Sequence, residues 1–148
     1  MLVFDAYPLA AVLLGEPAGQ VSGRILTEAI AAGEACVSVN NLAEVVDLVA
    51  RMASADVVDV VDAVELWIDA GLQVRPLTWE TGVLAASLRA THYHRTRCAV
   101  SLSDCAAIAL AYELGATLVT SDQPMATVAV ASGVLLQPIP DSRGISPS

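Results

Sequence analysis

No lysine occurs among the 148 residues; all seven basic side chains are arginine. A chain without an amine side chain has no Schiff-base chemistry and no phosphate-loop lysine. Cysteine is scarce: Cys36, Cys98 and Cys105 form neither an even framework nor a Cys-x-x-Cys pair. They read as buried thiols in a reducing cytoplasm, and no Cys–His spacing suggests zinc. No basic segment precedes the apolar start, and Asp5 interrupts it early, which argues against a secretory signal. The longest uncharged stretch, Gln123 to Pro140, holds three prolines, so it reads as helix, turn and strand rather than a membrane span. Positive charge is in short supply. Sixteen carboxylates against seven arginines give a net charge of -9 and a pI near 4.3. That balance excludes phosphate binding over a broad basic surface and leaves only a local one.

What is present is apolar. Hydrophobic residues make up 55%, charged residues 16%, and mean hydropathy is +0.62. This composition excludes intrinsic disorder. The length suits one domain that buries roughly 70% of its unfolded surface, with no need of a disulfide or structural metal. We expect that domain over residues 1–137, with 138–148 a loose tail. Short strands at Leu2–Phe4, Ala35–Val39, Leu72–Leu77, Ala116–Thr120 and Val134–Leu136 show little polar alternation, and helices separate them. The helices include Gln20–Ala32, one capped by Asn40, and Leu102–Leu114. Such strands build a parallel sheet covered on both faces, a three-layer α/β domain. Sites in these folds lie beyond the carboxyl ends of the strands.

Most acids have ordinary surroundings. Asp56, Asp59, Asp62, Glu65 and Asp69 recur at helical spacing opposite valines and Ile68, a solvated helix face. Asp5 does not. It is the only charge in the first fifteen residues, and a buried carboxylate needs a cation, a set of donors or a helix to cap. Asp104 opens a helix with no other charge until Glu113, and Ser101-x-x-Asp104 fits a capping box. Asp122 follows an apolar strand and precedes Pro124, so it also suits a cap. Glu44 shares a helix face with Asp47 and Arg51, consistent with a surface ion lattice. Yet all four fall at the same edge of the predicted sheet. Four converging carboxylates repel one another unless a cation joins them, and oxygen donors select hard ions such as Mg²⁺ or Mn²⁺.

The motifs Val-Phe-Asp5-Ala, Val-Asn-Asn-Leu-Ala-Glu44-Val, Leu-Ser-Asp104-Cys-Ala-Ala-Ile and Leu-Val-Thr-Ser-Asp122 are each short. In this order and spacing the chain resembles the PIN-domain ribonucleases, and among them the toxin of VapBC-type toxin–antitoxin pairs. The resemblance implies a five-stranded parallel sheet of order 3-2-1-4-5. It further implies Mg²⁺- or Mn²⁺-dependent endonucleolytic cleavage of RNA, a homodimer and a cognate antitoxin. Asp5, Glu44, Asp104 and Asp122 would be the metal-binding and catalytic set, with Thr120 or Ser121 orienting a ligand or a water. Two positions depart from the pattern. Tyr7 stands where a small hydroxyl residue is usual, and Gln123-Pro124-Met125 where a charged residue and an aromatic commonly follow the fourth acid.

RNA still requires cations. Arg89, Arg95 and Arg97 fall within nine residues, with Tyr93 among them as a stacking platform. The segment reads either as a phosphate-holding rim, open to RNA or to an antitoxin, or as a solvated loop with arginines paired internally. Apolar positions Val45, Val46, Val49 and Met52, with Val57 to Trp67, read either as core or as a partner surface. Competing functions fare worse. A receiver-type signalling domain looks for a lysine near its aspartate, and a haloacid-dehalogenase-type phosphatase needs Asp-x-Asp where the chain has Asp5-Ala6-Tyr7. A general PIN-domain RNA-processing nuclease and a non-catalytic binding module of the same fold stay open as alternatives.

Overall fold

The computed structural model describes Met1–Ser148. The elements run β1 (Leu2–Phe4), α1 (Ala6–Leu13), α2 (Pro17–Ala31), β2 (Ala35–Ser38), α3 (Val39–Ala53), α4 (Val57–Ala70) and β3 (Gln73–Arg75). They continue through α5 (Trp79–His92), α6 (Leu102–Leu114), β4 (Thr117–Thr120), α7 (Gln123–Ala131) and β5 (Leu135–Pro138). The five strands are all parallel, in the order β3-β2-β1-β4-β5, as expected.

Successive residues of a strand face opposite sides of a sheet, and here both sides are covered. Val3, Cys36 and Leu118 enter a core under α5, α6 and α7. Their neighbours Phe4, Val37 and Val119 enter a second core under α1 to α4. This is why the central strand β1 carries no polar residue, whereas the edge strand β3, only partly covered, alternates as Gln73-Val74-Arg75. Helix α6 is buried continuously from Cys105 to Ala111, and its run of alanines lets it lie close beneath the sheet. Gly19 serves an analogous purpose between α1 and α2. A Cβ at that position would drive into the Ala11 carbonyl.

Local signals start and stop the helices. Ser38 caps α3 through the Asn41 N–H at 3.1 Å, and Asp56 caps α4 through the Val58 N–H at 2.8 Å. Gly115, at φ 58°, ends α6 in the left-handed conformation that glycine adopts without steric cost. Three expectations are corrected. Helix α2 begins at Pro17, not Gln20, because a proline at the first helical position loses only an N–H that has no partner there anyway. The cap of α3 is Ser38 rather than Asn40, so the helix starts two residues early.

The third correction concerns the end of the chain, which is not loose. Ile139 is fully buried and its N–H donates to the Thr120 carbonyl at 3.0 Å. Asp141 Oδ1 accepts from the N–H groups of Arg143 and Ile145, forming a compact turn. Pro147 is buried, and Ser148 N–H reaches the Gln123 side chain at 2.9 Å. The tail therefore folds back beside α7.

Candidate active site

The chain leaves β1 at the centre of the sheet, runs outward to β3, and later returns to β4 on the opposite side of β1. Strand order reverses there, and the crevice at the carboxyl ends of β1 and β4 is where such sheets bind ligands. Asp5 follows β1 directly and is only 6% exposed. Its N–H donates to the Val119 carbonyl, extending the β1–β4 pairing by one residue. The carboxylate is held on both oxygens. Oδ1 accepts from Ala6 N–H at 2.7 Å and from the Asn41 side chain at 3.3 Å. Oδ2 accepts the Thr120 hydroxyl at 3.0 Å. Burial nevertheless dominates, and with the nearby charges of Asp104 and Glu44 it pushes the Asp5 pKa up to about 7.

Asp104 lies in the first turn of α6 and completes a capping box. Its carboxylate accepts Ser101 N–H at 2.7 Å, and the Ser101 hydroxyl accepts Asp104 N–H at 3.0 Å. Asp122 caps α7 through Met125 N–H at 2.6 Å. Its pKa is raised, by burial first and by Asp104 as well. Glu44, on α3, accepts the Ser103 hydroxyl at 3.1 Å, which ties α3 to the start of α6. Asp47 and Arg51 form their own ion pair at 2.7 Å, so Glu44 is not part of that surface lattice.

Capping and convergence are therefore not alternatives. Asp5 and Asp122 cap α1 and α7, Asp104 completes the capping box of α6, and the three carboxylates are close enough to influence one another's charge. The fields of Asp104 and Glu44 reach Asp5, and the field of Asp104 reaches Asp122. No three of these side chains close into a ready-made ligand cluster. The donor set is carboxylate oxygen throughout, which suits a hard divalent cation held partly through water.

Thr120 and Ser121, expected to orient a ligand or a water, fall at different places. Thr120 is fully buried, donates to Asp5, and accepts the Asp122 N–H at 3.1 Å. Ser121 lines an adjoining cavity. Three residues were missed in the sequence. Asn41 is buried and donates to Asp5, Ser38 holds the Asn41 side chain, and Ser103 orients Glu44. The available signal was spacing. Asn41 and Glu44 are three apart on α3 and so share one face.

Tyr7 turns from Asp5 toward Glu16, whose carboxylate accepts its hydroxyl. Burial and that carboxylate raise the Tyr7 pKa to about 12. The arginine-rich segment divides into two roles. Arg89 stacks on the Tyr93 ring at 4.4 Å and donates from Nε to the Val100 carbonyl at 3.2 Å. It clasps the 93–100 loop. Arg95 and Arg97 are exposed and make no ion pair. The loop is closed by a His94–Cys98 bridge, and the Cys98 thiol approaches the Pro124 carbonyl at 3.9 Å, beside the start of α7. That contact puts the loop on the rim next to Asp122.

The family model described as PIN domain matches residues 2–131. No curated protein matches the chain.

Proposed function

The chain belongs to the PIN domain family, and from that premise we propose that it is a Mg²⁺- or Mn²⁺-dependent endoribonuclease, the toxin of a VapBC-type toxin–antitoxin pair. PIN domains are generally nucleases that use divalent metals. The observation that carries the reading to this chain is Asp5. A carboxylate buried beneath two others is costly to ionise alone and becomes favourable beside a cation.

In this reading Asp5, Glu44, Asp104 and Asp122 hold the cation, directly or through water. When bound, such a cation supplies Lewis acidity, offsetting phosphate charge and favouring ionisation of water. Thr120 and Asn41 fix the Asp5 carboxylate, so it does not reorganise as charge develops. Ser103 does the same for Glu44. The reaction is in-line hydrolysis: a water oxygen adds to phosphorus as the bond to the leaving oxygen breaks. Neither histidine is required. His94 Nδ1 accepts N–H groups of its own loop, from Thr96 and Arg97.

Arg95 and Arg97 are the cations best placed to hold substrate phosphates, since both are free of acid partners. Part of the -9 charge is the site's own four carboxylates, which a bound cation would offset, and another part lies on α4, a separate helix face that RNA need not touch. The partners in this reading are a second copy of the chain and an antitoxin. Met52, Val57, Val58 and Leu66 support a partner surface, being more than half exposed where α3 meets α4, while Val45 and Val49 belong to the core. In this reading the catalytic domain, expected over residues 1–137, runs on through the end of β5 and the buried Ile139, and the remaining residues to 148 are an accessory tail. No helix is long and apolar enough to cross a membrane.

The test is cleavage of RNA by the purified protein with Mg²⁺ or Mn²⁺, with and without EDTA, in wild type, Asp5→Asn and Asp104→Asn. The wild type should cleave only with metal, and both variants should lose at least a hundredfold in rate. Equal cleavage in every arm would falsify the carboxylate–metal mechanism. Growth arrest on expression, relieved by a co-expressed antitoxin, tests the toxin role separately.

A further inference from the structure

The folded-back tail borders an open cavity of about 420 Å³ that adjoins the site through Asp122, the one of its four acids that lines it. Asp122 stands in its wall, with Ser121 and Gln123 on one side and Asp141, Ser142 and Arg143 on the other. Tyr7 completes the wall from α1. The volume is within the ~300–1,000 Å³ of small-molecule sites. The lining, however, is mostly hydroxyl, amide and charged groups, which suits a sugar and phosphate better than an apolar ligand.

Two features show that the cavity is built. Gln123 grips the tail in both directions: its Oε1 accepts Ser148 N–H at 2.9 Å and its Nε2 donates to the Ser148 carbonyl at 3.2 Å. Arg143 is pre-positioned by Asp141, whose Oδ2 accepts Nε at 2.9 Å and Nη2 at 2.7 Å. A guanidinium has five N–H donors. Two are used here, and three remain on a side chain that is 75% exposed and lines the cavity. Tyr7 and Gln123 stand in the wall of this cavity on either side of the tail.

Resting on the ribonuclease reading, we propose that this cavity is a substrate subsite. It takes the nucleotide of single-stranded RNA adjacent to the scissile bond, and Arg143 holds a backbone phosphate that is not cleaved. Arg143 is then a specificity and positioning residue rather than a catalytic one. Its charge is balanced by Asp141, so the contact works through directed hydrogen bonds and adds little long-range attraction.

The experiment uses the full chain carrying Asp104→Asn to prevent cleavage, with a fluorescent oligoribonucleotide containing 4-thiouridine, in EDTA. Photo-crosslinks should map to residues 141–147 or to the Tyr7 peptide. Arg143→Ala should raise the dissociation constant about five- to tenfold, with Arg143→Lys intermediate. Circular dichroism should show an unchanged thermal midpoint. In the cleaving protein, Arg143→Ala should raise KM more than it lowers kcat. Crosslinks confined to the 89–97 segment, with unchanged affinity in Arg143→Ala, would overturn the subsite while leaving the ribonuclease intact. Tighter binding or faster cleavage in Arg143→Ala or Gln123→Ala would also overturn it, identifying the tail as an obstruction. A wild type that neither binds nor cleaves RNA sinks the ribonuclease reading itself, and the subsite with it.

Discussion

The Thr120 hydroxyl donates to Asp5 Oδ2 at 3.0 Å, across 115 residues of sequence. The Thr120 hydroxyl oxygen in turn accepts the Asp122 N–H, so one buried hydroxyl joins the acid that follows β1 to the acid that follows β4. A deeply buried carboxylate is thereby kept in one orientation at the switch point of the sheet, at a cost in stability once it ionises.

That cost has a pH signature. The Asp5 pKa rises from 3.8 unfolded to about 7 folded, chiefly through burial. Between these values the folded chain retains a proton that the unfolded chain has lost, so stability falls as pH rises through the window. At about 1.36 kcal/mol per pH unit, the penalty above pH 7 reaches up to about 4 kcal/mol. Asp5→Asn should remove it. Without divalent metal, the variant should melt roughly 5 °C or more above wild type at pH 8, with little advantage at pH 4. Mg²⁺ or Mn²⁺ should raise the wild-type midpoint at pH 8 and leave the variant unmoved. Scanning calorimetry across pH 4–8 decides this.

Asp104 combines two roles that substitution can separate. An asparagine oxygen still accepts the Ser101 N–H, so Asp104→Asn should melt within a degree or two of wild type while losing cleavage. Asp104→Ala should lose cleavage and also about 1 kcal/mol of stability with the cap. If the two variants unfold at the same denaturant midpoint, the capping box contributes nothing.

The arginines of the rim should divide in the same manner. Arg89→Ala removes the stack on Tyr93 and the bond to the Val100 carbonyl, and should destabilise the chain by about 1–2 kcal/mol. Arg95→Ala and Arg97→Ala touch no such contact and should leave the melting temperature unchanged. Each should weaken RNA binding and reduce the slope of log affinity against log salt by about 0.7 for single-stranded RNA. Thermal melts paired with a salt titration of binding separate the two classes.

Gly19→Ala should be among the more destabilising single-methyl additions in the chain. The new Cβ has no space against the Ala11 backbone, so α1 and α2 must separate, costing about 1–3 kcal/mol. Gly82→Ala is the control, since nothing lies near its Cβ position and alanine favours a helix. Urea unfolding of both should move the midpoints in opposite directions.

The sheet order was legible only through family resemblance, whereas the layering was legible directly. Strand Leu2–Phe4 is apolar at every position, and β4 is apolar at its two central residues Leu118 and Val119, because both faces are covered there. The unusual acids were equally visible, because a lone charge in an apolar run requires a physical reason. Asn41 and Ser103 were not. A buried asparagine or serine looks like any surface polar residue until the fold shows what it touches.

By itself, then, the sequence determined which carboxylates are out of place, that Asp5, Asp104 and Asp122 suit helix starts, and that a two-sided parallel sheet carries them. Burial pattern and capping chemistry are local, so they are written in short stretches of residues. Only the tertiary structure decided that Asn41 and Thr120 hold Asp5 and that Glu44 turns to Ser103 rather than to Arg51. It alone seated the tail through Tyr7, Gln123 and Arg143 against the same edge. Those contacts join residues far apart in the chain. Each depends on the crossing of helices over the sheet, which no single segment encodes.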